Sequence, residues 1–420
     1  MATDKTYVYL HLGGEFVPAG LLTMHQDGRE VVSTFAYGRR YLERKDAAPV
    51  DPLQLPLGRN EHHAKGVFRA FQDASPDGWG RHLLDRAAER DGVVPSEFDY
   101  LTVLNQADRI GALAFGPDLN GPRPATPAWR PEEIPGDRLD LGEMLRDVDA
   151  VLNHEDLPAG QRRFLIRGSS LGGAQPKAAI EYEGRPWIAK FSRELEQWPT
   201  CRIELAAMRL AEKCGIRVPE CRVVDVGGRD VFLTARFDRE GDPPMRRHFL
   251  SAMTLTGADS LTDGTYGDIA LAIRRFGVAD HLKADLGELF RRMVFNILCN
   301  NWDDHLKNHG FLYDPASGKW RLSPAYDIVP QPRRDGDDAS RLTLGIGKQG
   351  RVATLDNALS RCADFDLDLP KAREISHGMA ALVRATWREQ NDRAGVPEMK
   401  SRLIEEAYRD AISGREEDLP

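Results

Sequence analysis

The pattern of apolar residues in this chain changes near residue 237, and that change limits what it can fold into. Before it, strand-like runs broken by Gly and Asp-Gly, the pattern of strands joined by tight turns, recur between shorter helical stretches. Beyond it, DLGELFRRMVFNILCNN sets Leu286, Leu289, Phe290, Met293, Val294 and Ile297 at helical spacing, with Asp285 expected as the cap. Two more helices are expected at about 370–390 and 397–412. A chain of 420 residues is too long for one core, because cores stop growing near ~250–300 residues. The expectation is therefore an α+β enzyme of two lobes, a β-rich half followed by a helical half with a cleft between.

Within that frame, residues 5–37 read as a small antiparallel sheet and residues 60–110 as mostly helical. The stretch from Asp118 to Asp137, crowded with Pro and Gly, reads as a connector. Three domains are expected, at 1–125, 126–237 and 238–420. KAAIEYE and WIAKF form a hairpin around Gly184-Arg185-Pro186. CRIELAAMRLAEKCG follows as a helix facing inward through Ile203, Ala207, Leu210 and Ala211, with Gly215 at its carboxyl end. CRVVDVGGRDVFLTARFD then gives two strands around Gly227-Gly228. No repeat of solenoid period is present.

A net charge of −8 leaves no global positive field to draw the chain onto DNA or an anionic membrane. The start lacks a basic segment followed by an apolar core, and no run nears the ~18 apolar residues of a membrane span, so a cytoplasmic protein is expected. Cys201, Cys214, Cys221, Cys299 and Cys362 are scattered and never in a C-x-x-C pair, which argues against disulfides or a zinc cage.

The segment NNWDDHLKNHGFLYD carries the most chemistry. It places Asp303 five residues before Asn308, the spacing at which a catalytic-loop Asp orients an attacking hydroxyl while an Asn holds a metal ion. Hard carboxylate and amide oxygens suit Mg²⁺. Asp327, in LSPAYDIVP, follows a short strand, WRL, that can pair with GFLY and return it beside Asn308. Taken singly, Asp303 and Asp327 read equally well as loop caps. Upstream, Ser169-Ser170-Leu171-Gly172-Gly173-Ala174-Gln175-Pro176-Lys177 is a loop of small residues whose backbone amides can approach phosphate, or a plain strand-entry turn. Lys190 follows on a strand and Glu204 on the next helix, where a kinase carries its phosphate-pairing lysine and the glutamate that orients it; a helix-dipole role for Glu204 stays open.

In order, DASPDGWGRHLLD, RIGAL, SLGGAQPK, WIAKF, ARFDR, WDDHLKN and PAYDIVP resemble the HipA-like toxin kinases of bacterial toxin–antitoxin pairs, over nearly the whole chain. The resemblance implies a bilobal protein-kinase-like α+β fold, with an added amino-terminal β-rich subdomain and an all-α carboxy-terminal lobe. It implies Asp303 as catalytic base, Asn308 and Asp327 as Mg²⁺ ligands, and Lys190 with the loop Ser170, Leu171, Gly172, Gly173, Ala174 and Gln175 on the phosphates of ATP. Ala235 and Phe237 fall where the interlobe segment meets adenine, with Arg236 and Asp238 bracing it, and Ser170 is the serine that the kinase phosphorylates on itself. Implied partners are a helix-turn-helix antitoxin, DNA only through that antitoxin, and a phosphorylated cytosolic protein such as an aminoacyl-tRNA synthetase. HFLSAMTLTGAD departs from the more acidic stretch of many relatives; His305 reads as structural, while Trp79 and Arg81 fit a functional role and a packed turn at a helix start equally well and are assigned no site role. Two other classes compete. One is a metal-dependent hydrolase using Asp303, Asp304, His305 and His309; the other is a catalytically silent kinase-shaped corepressor.

Overall fold

Residues 2–28, 30–131, 140–155, 163–193, 198–332 and 340–412 are described by the computed structural model of the chain. They divide into two units, Met1–Glu194 with Asp225–Leu250 and Leu195–Val224 with Ser251–Pro420.

The first unit opens on β1 (Ala2–Leu12), β2 (Glu15–Asp27) and β3 (Glu30–Tyr37), followed by the short helix α1 (Arg39–Leu42) and strand β4 (His62–Lys65). Helices α2 (Arg69–Asp73), α3 (Gly78–Glu89) and α4 (Glu97–Thr102) lead to β5 (Leu113–Gly116). The strands pair antiparallel in the order β4-β3-β2-β1-β5. Alternation buries Val8, Leu10, Leu22, Met24 and Phe35, and Phe71 of α2 closes this face edge-on to Phe35 and Phe115. The region expected to be mostly helical is thus three short helices plus a strand that joins the sheet. Residues 117–131 hold neither helix nor strand, and the rest of the expected connector lies outside the described residues.

After α5 (Leu141–Leu152), whose first amides are capped by the Asp140 carboxylate, α6 (Arg163–Arg167) runs into a 3₁₀ turn at Gly168–Ser170. Strands β6 (Lys177–Tyr182) and β7 (Arg185–Phe191) form the expected hairpin, but its turn is Glu183-Gly184, both left-handed at φ 51° and 73°. Proline cannot adopt that conformation, so Pro186 falls inside β7 instead. Helix α7 (Thr200–Lys213) ends at Cys214, with Gly215 left-handed just beyond, as expected. Strands β8 (Cys221–Val226) and β9 (Arg229–Ala235) turn on Gly227-Gly228, and the sheet runs β6-β7-β9-β8. The minimal strands β10 (Arg239–Glu240), β11 (Met245–Arg246) and β12 (Phe249–Ser251) follow.

The second unit contains α7 together with α8 (Ala252–Thr256), α9 (Tyr266–Phe276) and α10 (Leu282–Leu298). The hairpin β13 (Gly310–Asp314) and β14 (Lys319–Leu322) comes next, then α11 (Leu355–Leu359), α12 (Leu369–Ala394), α13 (Glu398–Ile404) and α14 (Arg409–Ile412). Helix α10 is the axis of this unit: its six expected inward residues are fully buried, and α9, α12 and α14 pack on it. Asp285 is not its cap. The chain enters through a 3₁₀ turn, so the helix starts earlier, at an N-cap His281, and the buried Asp285 carboxylate accepts hydrogen bonds from Arg321 and from the Leu322 amide of β14. The single helix expected at 397–412 is broken by a 3₁₀ turn at Glu405–Tyr408. Apart from the three-stranded sheet β12-β13-β14 and isolated bridges, the regular structure among the described residues after Leu250 is helical.

Candidate active site

Helix α10 delivers the chain into a loop anchored by fully buried Leu306, and β13 leads it away. Asp303 sits on the exposed side of this loop. The Asn308 side-chain amide donates to the Asp303 carbonyl at 3.3 Å, closing the five-residue interval and keeping Oδ1 as an acceptor. The β13–β14 hairpin, in register at Phe311 and Leu322, then returns the chain, and the Tyr326 hydroxyl donates to the Lys307 carbonyl at 2.6 Å. Asp327 follows with φ 59°, a left-handed backbone that Asp tolerates better than most residues.

The electrostatics record the same grouping. The surrounding chain desolvates the Asp303 carboxyl and raises its pKa; the negative charges of Asp327 and Asp304 add to this, and His305 opposes it. The Asp303 carboxylate, the Asp327 carboxylate whose charge it feels, and the Asn308 amide oxygen form a hard-oxygen set that suits a divalent cation.

The residues next in sequence do something different. Asp304 and His309 keep the five-residue interval but face inward, and the Asp304 carboxylate accepts hydrogen bonds from the Tyr266 hydroxyl and from His309 Nε2, the latter at 2.9 Å. Burial alone would raise the Asp304 pKa, but His309 and Tyr266 outweigh it and hold the group ionised below the usual carboxylate range. The Asn296 amide donates to the Tyr266 oxygen and the Asn301 amide to Asn296, each at 3.1 Å. Asn301 Oδ1 in turn accepts the Val329 amide at 3.3 Å. A buried chain of hydrogen bonds therefore runs from beside Asn308 to two residues beyond Asp327. It also takes Asp304 and His309 away from the hydrolase reading, and among the described residues no three His, Cys, Asp or Glu side chains are placed to hold a metal ion.

In the first unit, Ser169, Ser170 and Leu171 are buried, while Gly173 and Ala174 reach solvent on a loop that needs a left-handed residue at Gly173, φ 90°. Lys190 lies directly across the antiparallel pair from Lys177, so both side chains rise from the same face of the sheet, and Lys190 Nζ stands 5.7 Å from the centre of the Phe232 ring. Lys177 Nζ is 2.7 Å from where a side chain on Gly173 would begin. Two buried ammonium groups thus share the face beside the small-residue loop; the sequence reading gave a role to only one of them.

Ala235 ends β9 opposite Trp187, and Phe237 packs against Phe249. Arg236 binds Asp238 through two hydrogen bonds of 2.9 and 2.8 Å and reaches the carbonyls of Asp108 and Arg109, while Asp238 accepts the Gly111 amide at 2.7 Å. This brace ties the segment to the RIGAL loop. Arg81 is structural, clasping Glu97 at 2.6 and 2.7 Å and lying over the Tyr100 ring. Of the expected site residues, Ser170 to Gln175, Lys190, Ala235 and Phe237 belong to the first unit, and buried Glu204 of α7, Asp303, Asn308 and Asp327 to the second.

A glycine loop and strand lysine followed by an Asp, Asn and Asp set, on mixed sheet and helix, define a kinase-like α+β protein. The model of the HipA-like C-terminal domain matches residues 169–387 and that of the HipA N-terminal domain residues 11–116. The chain belongs to the HipA family. It is 26% identical to the Sinorhizobium fredii protein named "Putative kinase Y4dM", over 91% of each chain. It is also 26% identical to the serine/threonine-protein kinase toxin HipA of Shewanella oneidensis, over 38% of this chain and 42% of that one. Its fold is that of the Shewanella oneidensis HipA solved with HipB and operator DNA, with a TM-score of 0.61 at 17% identity over 97% of this chain and 96% of the other. No helix among the described residues is long and apolar enough to cross a membrane.

Proposed function

We propose that this chain is an ATP- and Mg²⁺-dependent serine/threonine protein kinase acting as the toxin of a toxin–antitoxin pair. The observation that carries the reading is the grouping of Asp303, Asn308 and Asp327 around one loop and hairpin, linked by the Asn308 bond and by the charge of Asp327 on Asp303. Asp303 orients the acceptor hydroxyl and takes its proton, a role served by its exposure and raised proton affinity. Asn308 and Asp327 hold Mg²⁺, which, when bound, neutralises charge on the transferring phosphoryl group. Lys190 and the loop Ser170–Gln175 take the nucleotide phosphates, Glu204 orients the lysine, and the backbone at Ala235 and Phe237 meets adenine. The kinase phosphorylates its own Ser170, and the phosphate, with a charge of about −1.5 to −2, repels ATP and silences the enzyme. Its partner is a helix-turn-helix antitoxin that brings DNA affinity, and it works in the cytoplasm on a protein substrate.

Calorimetry of ATP binding with and without Mg²⁺ tests the metal assignment. Wild type should bind more tightly with Mg²⁺, and Asp327→Ala should lose that increment while keeping metal-free binding. An Mg²⁺ increment of full size in Asp327→Ala would remove Asp327 from the site.

A further inference from the structure

The motif DASPDGWG has no role in the reading above, yet it holds the small-residue loop. Asp77 is the N-cap of α3, where an Asp normally accepts an amide of its own helix. It caps nothing in α3; its carboxylate accepts the amide of Gly173, ninety-six residues away in sequence. The Trp79 amide donates to the Gly173 carbonyl at 2.7 Å, so both backbone groups of Gly173 are held by the amino end of α3. Three glycines allow this approach. A Cβ on Gly78 would lie 2.8 Å from the Gly173 carbonyl carbon, one on Gly80 2.6 Å from the Leu171 oxygen, and one on Gly172 2.7 Å from the Asp77 carboxyl carbon. Beneath this interlock Ser170 is 2% exposed, its hydroxyl buried with no hydrogen-bond partner, while Ser169 donates to the Ile166 carbonyl at 2.7 Å.

We infer that Asp77 is a positioning residue that latches the glycine-rich loop to α3, and that opening this latch controls the exposure of Ser170 to phosphorylation. The latch stands on geometry alone; its consequence for Ser170 rests on the kinase reading. A serine this enclosed cannot enter another molecule's active site until the loop leaves α3. Leaving breaks the bonds of Gly173 to Asp77 and Trp79 together. In transfer, the Ser170 Oγ–phosphorus bond forms, the bond from phosphorus to the bridging oxygen of ATP breaks, ADP departs, and the hydroxyl proton goes to Asp303 of the molecule that holds the ATP.

Two measurements on the full chain test this separately. Hydrogen exchange across residues 168–176, without nucleotide, should speed up roughly tenfold or more in Asp77→Ala, the scale set by a lost hydrogen bond to a charged acceptor. Asp77→Asn, which keeps an acceptor oxygen, should stay within about threefold of wild type. Gly80→Ala should also speed exchange, although alanine favours helix, because its methyl meets the loop carbonyls. Second, wild-type enzyme should phosphorylate Ser170 of the inactive acceptor Asp77→Ala/Asp303→Ala several-fold faster than that of Asp303→Ala. Unchanged exchange in Asp77→Ala overturns the latch, and equal phosphorylation of the two acceptors overturns its control of Ser170. If neither acceptor is phosphorylated, the kinase reading and that control fail together, while exchange still decides the latch.

Discussion

Replacing Asp304 by Asn removes one charge from the buried hydrogen-bond chain beneath the loop that carries Asp303 and little else. Asp304 is 3% exposed, and one of its oxygens serves both Tyr266 and His309. Charge-assisted hydrogen bonds of this kind contribute about 1.5–3 kcal/mol each, and breaking a buried pair by deleting one partner costs about 3–5 kcal/mol. Asn keeps the volume and one acceptor, so a loss of roughly 2–4 kcal/mol is expected. For a unit of this size that is a fall in Tm of about 5–15 °C. The sign with pH is fixed by the low carboxyl pKa. The contribution of Asp304 is fully present above the unfolded carboxylate value of about 3.9 and is lost as pH falls through the lower folded value. Urea unfolding of wild type and Asp304→Asn, followed by circular dichroism, should show a wide gap at pH 7 that narrows at pH 3. Equal midpoints at pH 7, or a gap that does not narrow in acid, would refute this account of the loop.

In the first unit, Asp51 is buried, with its carboxylate on the amides of Leu53 and Gln54, and burial raises its pKa to about 6. Its proton is held more tightly folded than unfolded, so stability from this group is full below about pH 4 and is lost as pH rises through 6; Asp51→Asn should gain roughly 2–3 kcal/mol at pH 7 in urea unfolding and nothing at pH 4. A destabilised Asp51→Asn at pH 7 would contradict that sign. Affinity purification from the native host should recover a small basic helix-turn-helix protein, and the acidic chain alone should show no tight operator binding at physiological salt in a gel-shift assay. Sequence-specific binding by the isolated chain would overturn that division of labour.

What was legible in the sequence was local. Both hairpins of the lysine-bearing sheet were readable because their turns carry Gly, and the face of α10 because six apolar residues repeat at helical spacing. The turn at Glu183-Gly184 was misplaced because Pro186 looks like a turn residue but cannot take a left-handed φ. Asp285 was read as a cap, and Asp77 was given no role, for a related reason. A carboxylate near a helix start looks like a cap whether it serves its own helix or a distant amide, and only the fold says which. Asp304 was hidden by Asp303. Two adjacent carboxylates on an extended loop face opposite ways, and composition cannot tell the solvent-facing one from the buried one.

The central claim is that Asp303 serves phosphoryl transfer. Transfer of ³²P from γ-labelled ATP to protein, with Mg²⁺ present, should be readily measured for wild type and should fall by about 10²-fold or more in Asp303→Ala, the usual cost of losing a catalytic base. Near-wild-type labelling by Asp303→Ala would contradict the assignment.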